Sequence, residues 1–393
     1  MSDFLFGSKI TAEQFLKKYW QKKPILFRNA FPDFVDPLTP DELAGIAMEE
    51  GVHARLIREK EGKKSWTLRK GPFPEDLLRT LPKKDWTILV SNLEQWTDEA
   101  AAILDHFPFI PHWRCDDLMA SFAPVGGTVG PHIDSYDVFL IQGQGKRRWQ
   151  IADIAKPEFI DGIDLKVLKS FQAEDEWVLE SGDMLYLPPG VAHYGVALEH
   201  CMTYSVGFRA PTTRMLAGNL LNISDQLLDD ANAADEFFED PDLKLQSCPG
   251  EIAPDSIERV RKLLKPILDN PEIWARWFGS FMSFPNPGQG AVEGPSKPVT
   301  TAIIQTALKK GKSIGRSDTV RSYYTKCGKQ IAVFAGGQEY MADMSWLPFL
   351  KMIFSARSLS ADVFVKPLAA GKADKEQESL AEWLFNQSVL YFD

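Results

Sequence analysis

The sequence predicts an α+β fold around a core of short antiparallel strands, and three observations support this. Of the 393 residues, 44% are hydrophobic and 25% are charged, which is typical of a globular protein and excludes a disordered or collagen-like chain. Between about residues 113 and 209, short β-rich runs alternate with Gly and Pro, as in a barrel or sandwich. Before and after this stretch, apolar residues recur at helical spacing.

The first hundred residues predict helices and strands that support this core. Thr11 and Gln14 fit a capping box that begins a helix, and Pro24 ends that helix before a short strand over 25–27. The other elements predicted in this part are a helix over 40–50, two strands joined by a charged turn over 53–69, and a strand over 86–90.

The chain after residue 214 predicts a second, largely helical part. Residues 255–283 indicate two helices with a wide apolar surface, which suits either a core or a dimer interface. Pro and Gly over 285–298 indicate a linker, and the helix, β-hairpin (320–342) and helices that follow have the order of a winged-helix-like module. We therefore predict the domains 1–98, 99–214, 215–284 and 299–393, with the linker 285–298.

Charge and cysteine content limit the functional classes. The net charge of −10 argues against direct binding to nucleic acid. The four cysteines are scattered without a C-x-x-C pair, which argues against a zinc ribbon or a disulfide framework and favours reduced thiols. No signal peptide and no apolar run of about 18 residues is visible, so we expect a cytoplasmic protein with no membrane segment.

The segment from Gly130 to Asp134 carries the most informative pattern. Residues i and i+2 of a strand point to one face, so His132 and Asp134 would present an imidazole and a carboxylate side by side. His193 follows an apolar strand and a Pro-Pro-Gly turn, where a barrel would bring it back beside this pair. Two histidines and one carboxylate form the triad that binds Fe(II) and leaves positions open for other ligands.

A cationic segment between these histidines fits a carboxylate ligand. Arg147 and Trp149 share one strand face, and because Trp149 is apolar we predict that this face points inward. There the Arg147 guanidinium could pair with both oxygens of a carboxylate, and Ser121 could donate its hydroxyl to the same group. The remaining histidines have no partner at ligand spacing and are expected to be structural or on the surface: His53, His106, His112 and His200.

These residues resemble the JmjC-type oxygenases, which use Fe(II), 2-oxoglutarate and O2, and within them the bacterial ribosomal oxygenases. The similarity runs from about residue 11 to 215 and lies in the motifs FLKKYWQKKPILFRNAF, DPLTPDELAGIAMEE, WRCDDLMASF, GGTVGPHIDSYDVFLIQGQGKRRWQI, GDMLYLPPGVAHYGVALE and YSVGFRAP. The resemblance implies a double-stranded β-helix core with an α/β N-terminal extension, a helical dimerisation region and a winged-helix-like C-terminal domain.

The resemblance also implies a role for each matching residue. The metal ligands are matched by His132, Asp134 and His193, the 2-oxoglutarate contacts by Arg147 and Ser121, and the substrate contacts by Asp116, Tyr136 and Ser205. A carboxylate such as that of Asp116 can pair with an arginine side chain, and an aromatic ring such as that of Tyr136 can cover it. Asp117 is adjacent and could exchange roles with Asp116.

The function implied by the resemblance is hydroxylation of an arginine side chain of large-subunit ribosomal protein L sixteen, with release of succinate and CO2. A net-acidic enzyme suits a basic ribosomal partner, and a homodimer through the helical region is implied as well. The same chemistry with another substrate stays open: lysine demethylation, or histidyl, asparaginyl or tRNA hydroxylation. A metal-binding cupin without redox catalysis and a winged-helix regulator also stay open.

Overall fold

The computed structural model describes residues 4–61, 64–220, 225–230, 237–242, 252–285, 292, 294–359 and 375–392. The chain forms two compact units, Met1–Ala210 and Pro211–Asp393. Both units combine helices with antiparallel sheets, which confirms the predicted α+β class. The finer domain boundaries stay predictions.

The first unit begins with helices and strands that the sequence places well. A capping box of Thr11 and Gln14 begins the first helix, and the strands predicted over 25–27 and 86–90 form with those bounds. Its elements are α1 (Ala12–Lys18), β1 (Ile25–Phe27), α2 (Pro40–Ile46), β2 (Ala54–Glu61), β3 (Lys64–Lys70), α3 (Glu75–Arg79), β4 (Trp86–Val90), α4 (Asp98–Ala101), β5 (Cys115–Ala123), β6 (His132–Ile133), β7 (Asp137–Gln142), β8 (Arg147–Ala152), β9 (Asp175–Leu179), β10 (Met184–Leu187), β11 (Ala192–Ala197) and β12 (Cys201–Phe208).

Two antiparallel sheets pack together in this unit. The large sheet has the strand order β1-β10-β7-β12-β5-β4-β2-β3, and the small sheet has the order β6-β11-β8-β9. Val138 and Leu140 of β7 lie in one hydrophobic cluster with Trp149 and Ile151 of β8, so this cluster fills the space between the sheets. The alternate β7 residues, such as Phe139, lie in a second core with α1 and α2. The large sheet is therefore buried on both faces at its centre.

The second unit contains the helices predicted over 255–283, but its predicted β-hairpin was wrong. Its elements are α5 (Thr213–Leu220), α6 (Asp225–Asp230), α7 (Pro254–Leu268), α8 (Pro271–Ser283), α9 (Thr301–Lys309), β13 (Ile314–Arg316), β14 (Ser322–Cys327), β15 (Gln330–Ala335), β16 (Gln338–Asp343), α10 (Leu347–Ile353), β17 (Ser358–Leu359), α11 (Lys375–Asn386) and β18 (Leu390–Phe392). The predicted hairpin over 320–342 is a three-stranded sheet, because Gly336 and Gly337 take positive φ and turn the chain a second time.

Some predicted features lie partly outside the described residues, and others stay predictions. The linker predicted over 285–298 lies largely outside the described residues, and the winged-helix and dimerisation roles of the second unit stay predictions. Cys201 and Cys327 are free thiols, while Cys248 lies outside the described residues. Among the described helices, none combines the length and the apolar character that crossing a membrane requires.

Candidate metal centre

Three side chains with metal-binding atoms meet on the inner face of the small sheet. His132 of β6 and His193 of β11 lie directly opposite each other, and their ring centroids are 4.1 Å apart. Asp134 follows β6, and its Oδ2 lies 3.8 Å from His132 Nε2 and 3.6 Å from His193 Nε2. The three potential ligand atoms lie within 4.8 Å of one another, and the described part of the chain contains no other such group of three.

Backbone carbonyl groups orient both imidazole rings. His132 Nδ1 lies 2.9 Å from the Gly130 oxygen, and His193 Nδ1 lies 3.0 Å from the Val191 oxygen. Because a carbonyl only accepts, each Nδ1 carries the proton and each Nε2 keeps a lone pair on the side of Asp134. Burial, with a smaller contribution from His132, lowers the pKa of His193 to about 4, so this ring is neutral at pH 7. Two imidazole rings that direct their Nε2 atoms toward a carboxylate are a donor set that fits a divalent metal.

Arg147 places a buried cation on the same inner face. The buried residues of β8 alternate, so Arg147, Trp149 and Ile151 point inward, which confirms the predicted orientation of this strand. The Arg147 side chain lies against Trp149, with 5.7 Å between its Cζ and the ring centroid. Its Nε and Nη2 have no hydrogen-bond partner, although the residue is only 3% exposed. Since a buried charge without a partner is costly, this position fits an anionic ligand.

A polar row on the large sheet lies on the side of the small sheet. Ser121, Thr203 and Gln142 lie side by side on β5, β12 and β7, and all three are buried. Leu140, two residues before Gln142, belongs to the cluster between the sheets, so the row faces the small sheet. The Ser121 hydroxyl donates to the Thr203 carbonyl at 3.4 Å. This is a long hydrogen bond, so the hydroxyl can turn toward a ligand at little cost.

Two neighbouring carboxylates at the start of β5 have different surroundings. Asp116 forms an ion pair with Arg209, with 2.7 Å between Oδ2 and Nη2. Asp117 lies beside it, in the stretch of β5 between Cys115 and Leu118 where the pairing with β12 is irregular. Burial and the charge of Asp116 raise the pKa of Asp117 to about 6.

Tyr136 and Ser205 lie in the same region. The Tyr136 ring centroid lies 5.8 Å from the Arg209 Cζ. Burial and the charges of Asp134 and Asp117 raise the pKa of the Tyr136 hydroxyl, which therefore stays protonated. Ser205 continues the row of Thr203 on β12 and is buried. The structure thus brings His132, Asp134 and His193 together and joins Asp116 to Tyr136 through Arg209, whereas Ser121 and Ser205 are placed only on the inner face of the large sheet. Arg209 and Arg55 are two cations near these residues that the sequence did not indicate.

Two packed antiparallel sheets that carry two histidines and one carboxylate define a metalloprotein with a 2-His-1-carboxylate centre, the class of the non-haem Fe(II) oxygenases. The buried arginine beside this centre suits an oxygenase that uses an anionic co-substrate.

Comparisons with known proteins define the family. The JmjC domain profile matches residues 102–216. The ribosomal protein uL16 3-hydroxylase of Escherichia coli (strain K12) is 36% identical over 351 residues, which cover 89% of this chain and 90% of that protein. The X-ray structure of E. coli ycfD matches with a TM-score of 0.85 and 33% identity, over 99% of this chain and 100% of that one. The structure of E. coli YcfD, a ribosomal oxygenase, with cobalt and 2-oxoglutarate matches with a TM-score of 0.81 and 34% identity, over 98% and 99% of the two chains. The chain belongs to the JmjC-domain ribosomal oxygenase family.

Proposed function

We propose that this chain is an Fe(II)- and 2-oxoglutarate-dependent hydroxylase of an arginine side chain in large-subunit ribosomal protein L sixteen. The observation that carries the proposal is the placement of the His132, Asp134 and His193 triad beside the buried, unpartnered Nε and Nη2 of Arg147. The E. coli relatives support the substrate and the ligands, because one is named for uL16 and the other is described with cobalt and 2-oxoglutarate. Action in the cytoplasm is part of this proposal.

The chain's own residues would hold the metal and orient the co-substrate. The iron ligands would be His132, Asp134 and His193, and Arg147 would pair with the distal carboxylate of 2-oxoglutarate while Ser121 donates its hydroxyl to the same group. When bound, Fe(II) and 2-oxoglutarate supply the O2-dependent hydroxylation of a C–H bond, with succinate and CO2 as products. The buried walls of the cluster between the sheets exclude water from this reaction.

The acidic corner of the site supports a cationic substrate. Asp116 and Asp117 provide two carboxylates for a guanidinium, and Tyr136 provides a ring for cation–π contact. Ser205 adds a hydroxyl on β12, two residues after Thr203 of the polar row. Because Tyr136 is two residues from Asp134, a side chain held against its ring lies next to the metal ligands. This charge pattern favours arginine over the neutral asparagine side chain.

Mass spectrometry of a fragment of L sixteen tests the proposal. The fragment is incubated with the protein, Fe(II), 2-oxoglutarate and ascorbate, and we expect one arginine to gain the mass of one oxygen atom. The His132→Ala variant should leave the mass unchanged. Succinate formation without a mass gain would keep the oxygenase and refute the substrate. Formaldehyde release would indicate a demethylase, and an absence of any turnover with metal bound would favour a cupin without redox catalysis.

We also propose that two copies of the chain associate through α7. Four apolar residues on one stripe of this helix are between 42% and 61% exposed: Ile257, Val260, Leu264 and Leu268. A second copy would cover this stripe with its own, because a two-fold interface buries the same patch on both subunits. Analytical ultracentrifugation should show a dimer that Leu264→Glu converts to a monomer. Val35→Glu, at an apolar position that is 83% exposed in the first unit, should stay dimeric, and a monomeric unsubstituted protein would refute the proposal.

A further inference from the structure

The side chain of Arg209 lies among the residues that we assign to the substrate arginine. Arg209 directly follows β12, and its Nη2 lies 2.7 Å from Asp116 Oδ2. Its Cζ lies 5.8 Å from the centroid of the Tyr136 ring. The guanidinium therefore makes the same two kinds of contact, to a carboxylate and to an aromatic ring, that a bound substrate arginine would make.

The backbone of Arg209 is anchored, whereas its side chain has access to solvent. The Arg209 carbonyl accepts a hydrogen bond of 3.1 Å from Arg114 Nε. Arg114 is itself fixed, because it pairs with the buried Asp137 at 3.3 Å and lies 5.3 Å from the Trp20 ring centroid. In contrast, the Arg209 side chain is 48% exposed, so its guanidinium can leave Asp116 for water without moving the strand.

We infer that Arg209 is an internal guanidinium that occupies the substrate-arginine pocket until a substrate arginine displaces it. This inference rests on the proposed function. The exchange keeps the charge of the pocket constant, because one guanidinium replaces another beside Asp116 and Asp117. It also sets the specificity, since a lysine or a neutral side chain cannot replace the combined contact of a planar guanidinium with the Asp116 carboxylate and the Tyr136 ring that Arg209 would give up.

The affinity of an arginine-containing fragment of L sixteen tests this exchange. The fragment is titrated calorimetrically into the full chain with Mn(II) and 2-oxoglutarate in the absence of O2, so that no turnover occurs. Arg209→Gln removes the competing guanidinium, and Arg79→Gln is the matched control, because Arg79 forms an exposed ion pair with Glu75 on α3. Since half-exposed ion pairs are weak, we expect Arg209→Gln to bind the fragment about twofold to fivefold more tightly than the control. Steady-state rates should show KM lowered by the same factor and kcat unchanged.

The outcomes show whether Arg209 competes with the substrate arginine or instead positions Asp116. If Arg209→Gln binds the fragment as weakly as the control or more weakly, Arg209 holds Asp116 in place and the inference is wrong, while the proposed function stands. If neither protein binds the fragment, both the proposed function and this inference fail. Arg209→Lys keeps the charge without the planar guanidinium and should tighten binding by less than Arg209→Gln, which provides the test if Arg209→Gln unfolds in urea more readily than the control.

Discussion

His132 and His193 form a directly opposed pair in neighbouring antiparallel strands, and each donates its Nδ1 proton to the carbonyl two residues earlier in the chain. The same local hydrogen bond therefore selects the same tautomer in both rings and directs both Nε2 atoms to one point beside Asp134. The two nitrogen ligands are thus positioned by strand pairing, which is rigid, and only the carboxylate comes from the residue after a strand.

We predict that His193→Ala abolishes metal binding. Substitutions outside the ligand shell already lower metal affinity by about 10- to 100-fold, so loss of a ligand should lower it by more than about 100-fold. Titration of Co(II) followed by visible absorbance measures the change. His53→Ala, at an exposed histidine, should bind Co(II) like the unsubstituted protein. Equal affinities in the two variants would place the metal elsewhere.

Arg147→Gln should weaken the binding of 2-oxoglutarate and leave metal affinity unchanged. Loss of a charge-assisted contact to a carboxylate should raise the KM for 2-oxoglutarate by about tenfold to a hundredfold. Without co-substrate, the variant should unfold at higher urea concentration, because it removes a buried charge whose Nε and Nη2 have no partner. The control for the KM is Arg148→Gln on the opposite strand face, near Glu176 at 3.8 Å, which should leave the KM for 2-oxoglutarate unchanged. A normal KM in Arg147→Gln would remove Arg147 from the co-substrate site.

We predict that the ionised Asp117 side chain lowers the free energy of unfolding at neutral pH. The pKa of Asp117 rises from 3.8 to about 6 on folding, so the folded state keeps a proton that the unfolded state releases in this interval. Stability therefore falls as the pH rises from about 4 to 6, and the penalty is complete above pH 6. Asp117→Asn should stabilise the protein by up to about 3 kcal/mol at pH 7.5, with the difference disappearing near pH 4.

Urea unfolding at several pH values measures this effect, with Asp153→Asn at an exposed aspartate as the control. We expect Asp117→Asn also to bind the arginine fragment more weakly, because the neutral amide does not pair with a guanidinium. A variant that is less stable than the control at pH 7.5 would show that Asp117 is a stabilising group and contradict the prediction.

Gly195→Ala should disturb the site through Trp149. A Cβ at position 195 would lie 2.6 Å from the Trp149 ring, so the indole would have to move. Trp149 lies beside Arg147 and 5.9 Å from the His193 ring, so we expect a higher KM for 2-oxoglutarate together with a loss of about 1–3 kcal/mol of stability. Thermal melts measure the stability of both variants. A Cβ added at Gly45 in α2 would have no atom within 4 Å, so Gly45→Ala should be neutral or stabilising. Equal behaviour of the two variants would show that Trp149 is free to shift.

Features that depend on local spacing could be predicted from the sequence. The capping box of Thr11 and Gln14 and the inward face of Arg147 follow from patterns of a few residues. The expectation that His132 and Asp134 share a strand was only partly right, because β6 ends at Ile133 and Asp134 reaches the site from the following residue.

Features that depend on the pairing of distant strands could not be predicted in this way. Arg55 reaches Met119, at 3.1 Å between Nη2 and Sδ, because β4 joins β2 to β5 in the large sheet. The Arg209 ion pair with Asp116 likewise requires β12 to lie beside β5. Neither contact has a spacing pattern in the sequence, since both depend on which strands become neighbours.

The strand order of the large sheet also limits how this enzyme can be divided. The segment that matches the JmjC domain, residues 102–216, contains β5 and β10, but β4 and β1 pair with their outer sides and come from earlier in the chain. Excision of the segment would bare two hydrogen-bonding edges and invite association between cut copies. It would also remove Gln21, whose side chain donates to Asp137 next to Tyr136. The segment 102–216 therefore cannot be moved into another protein by itself, and the first hundred residues must accompany it in any chimera or minimal enzyme.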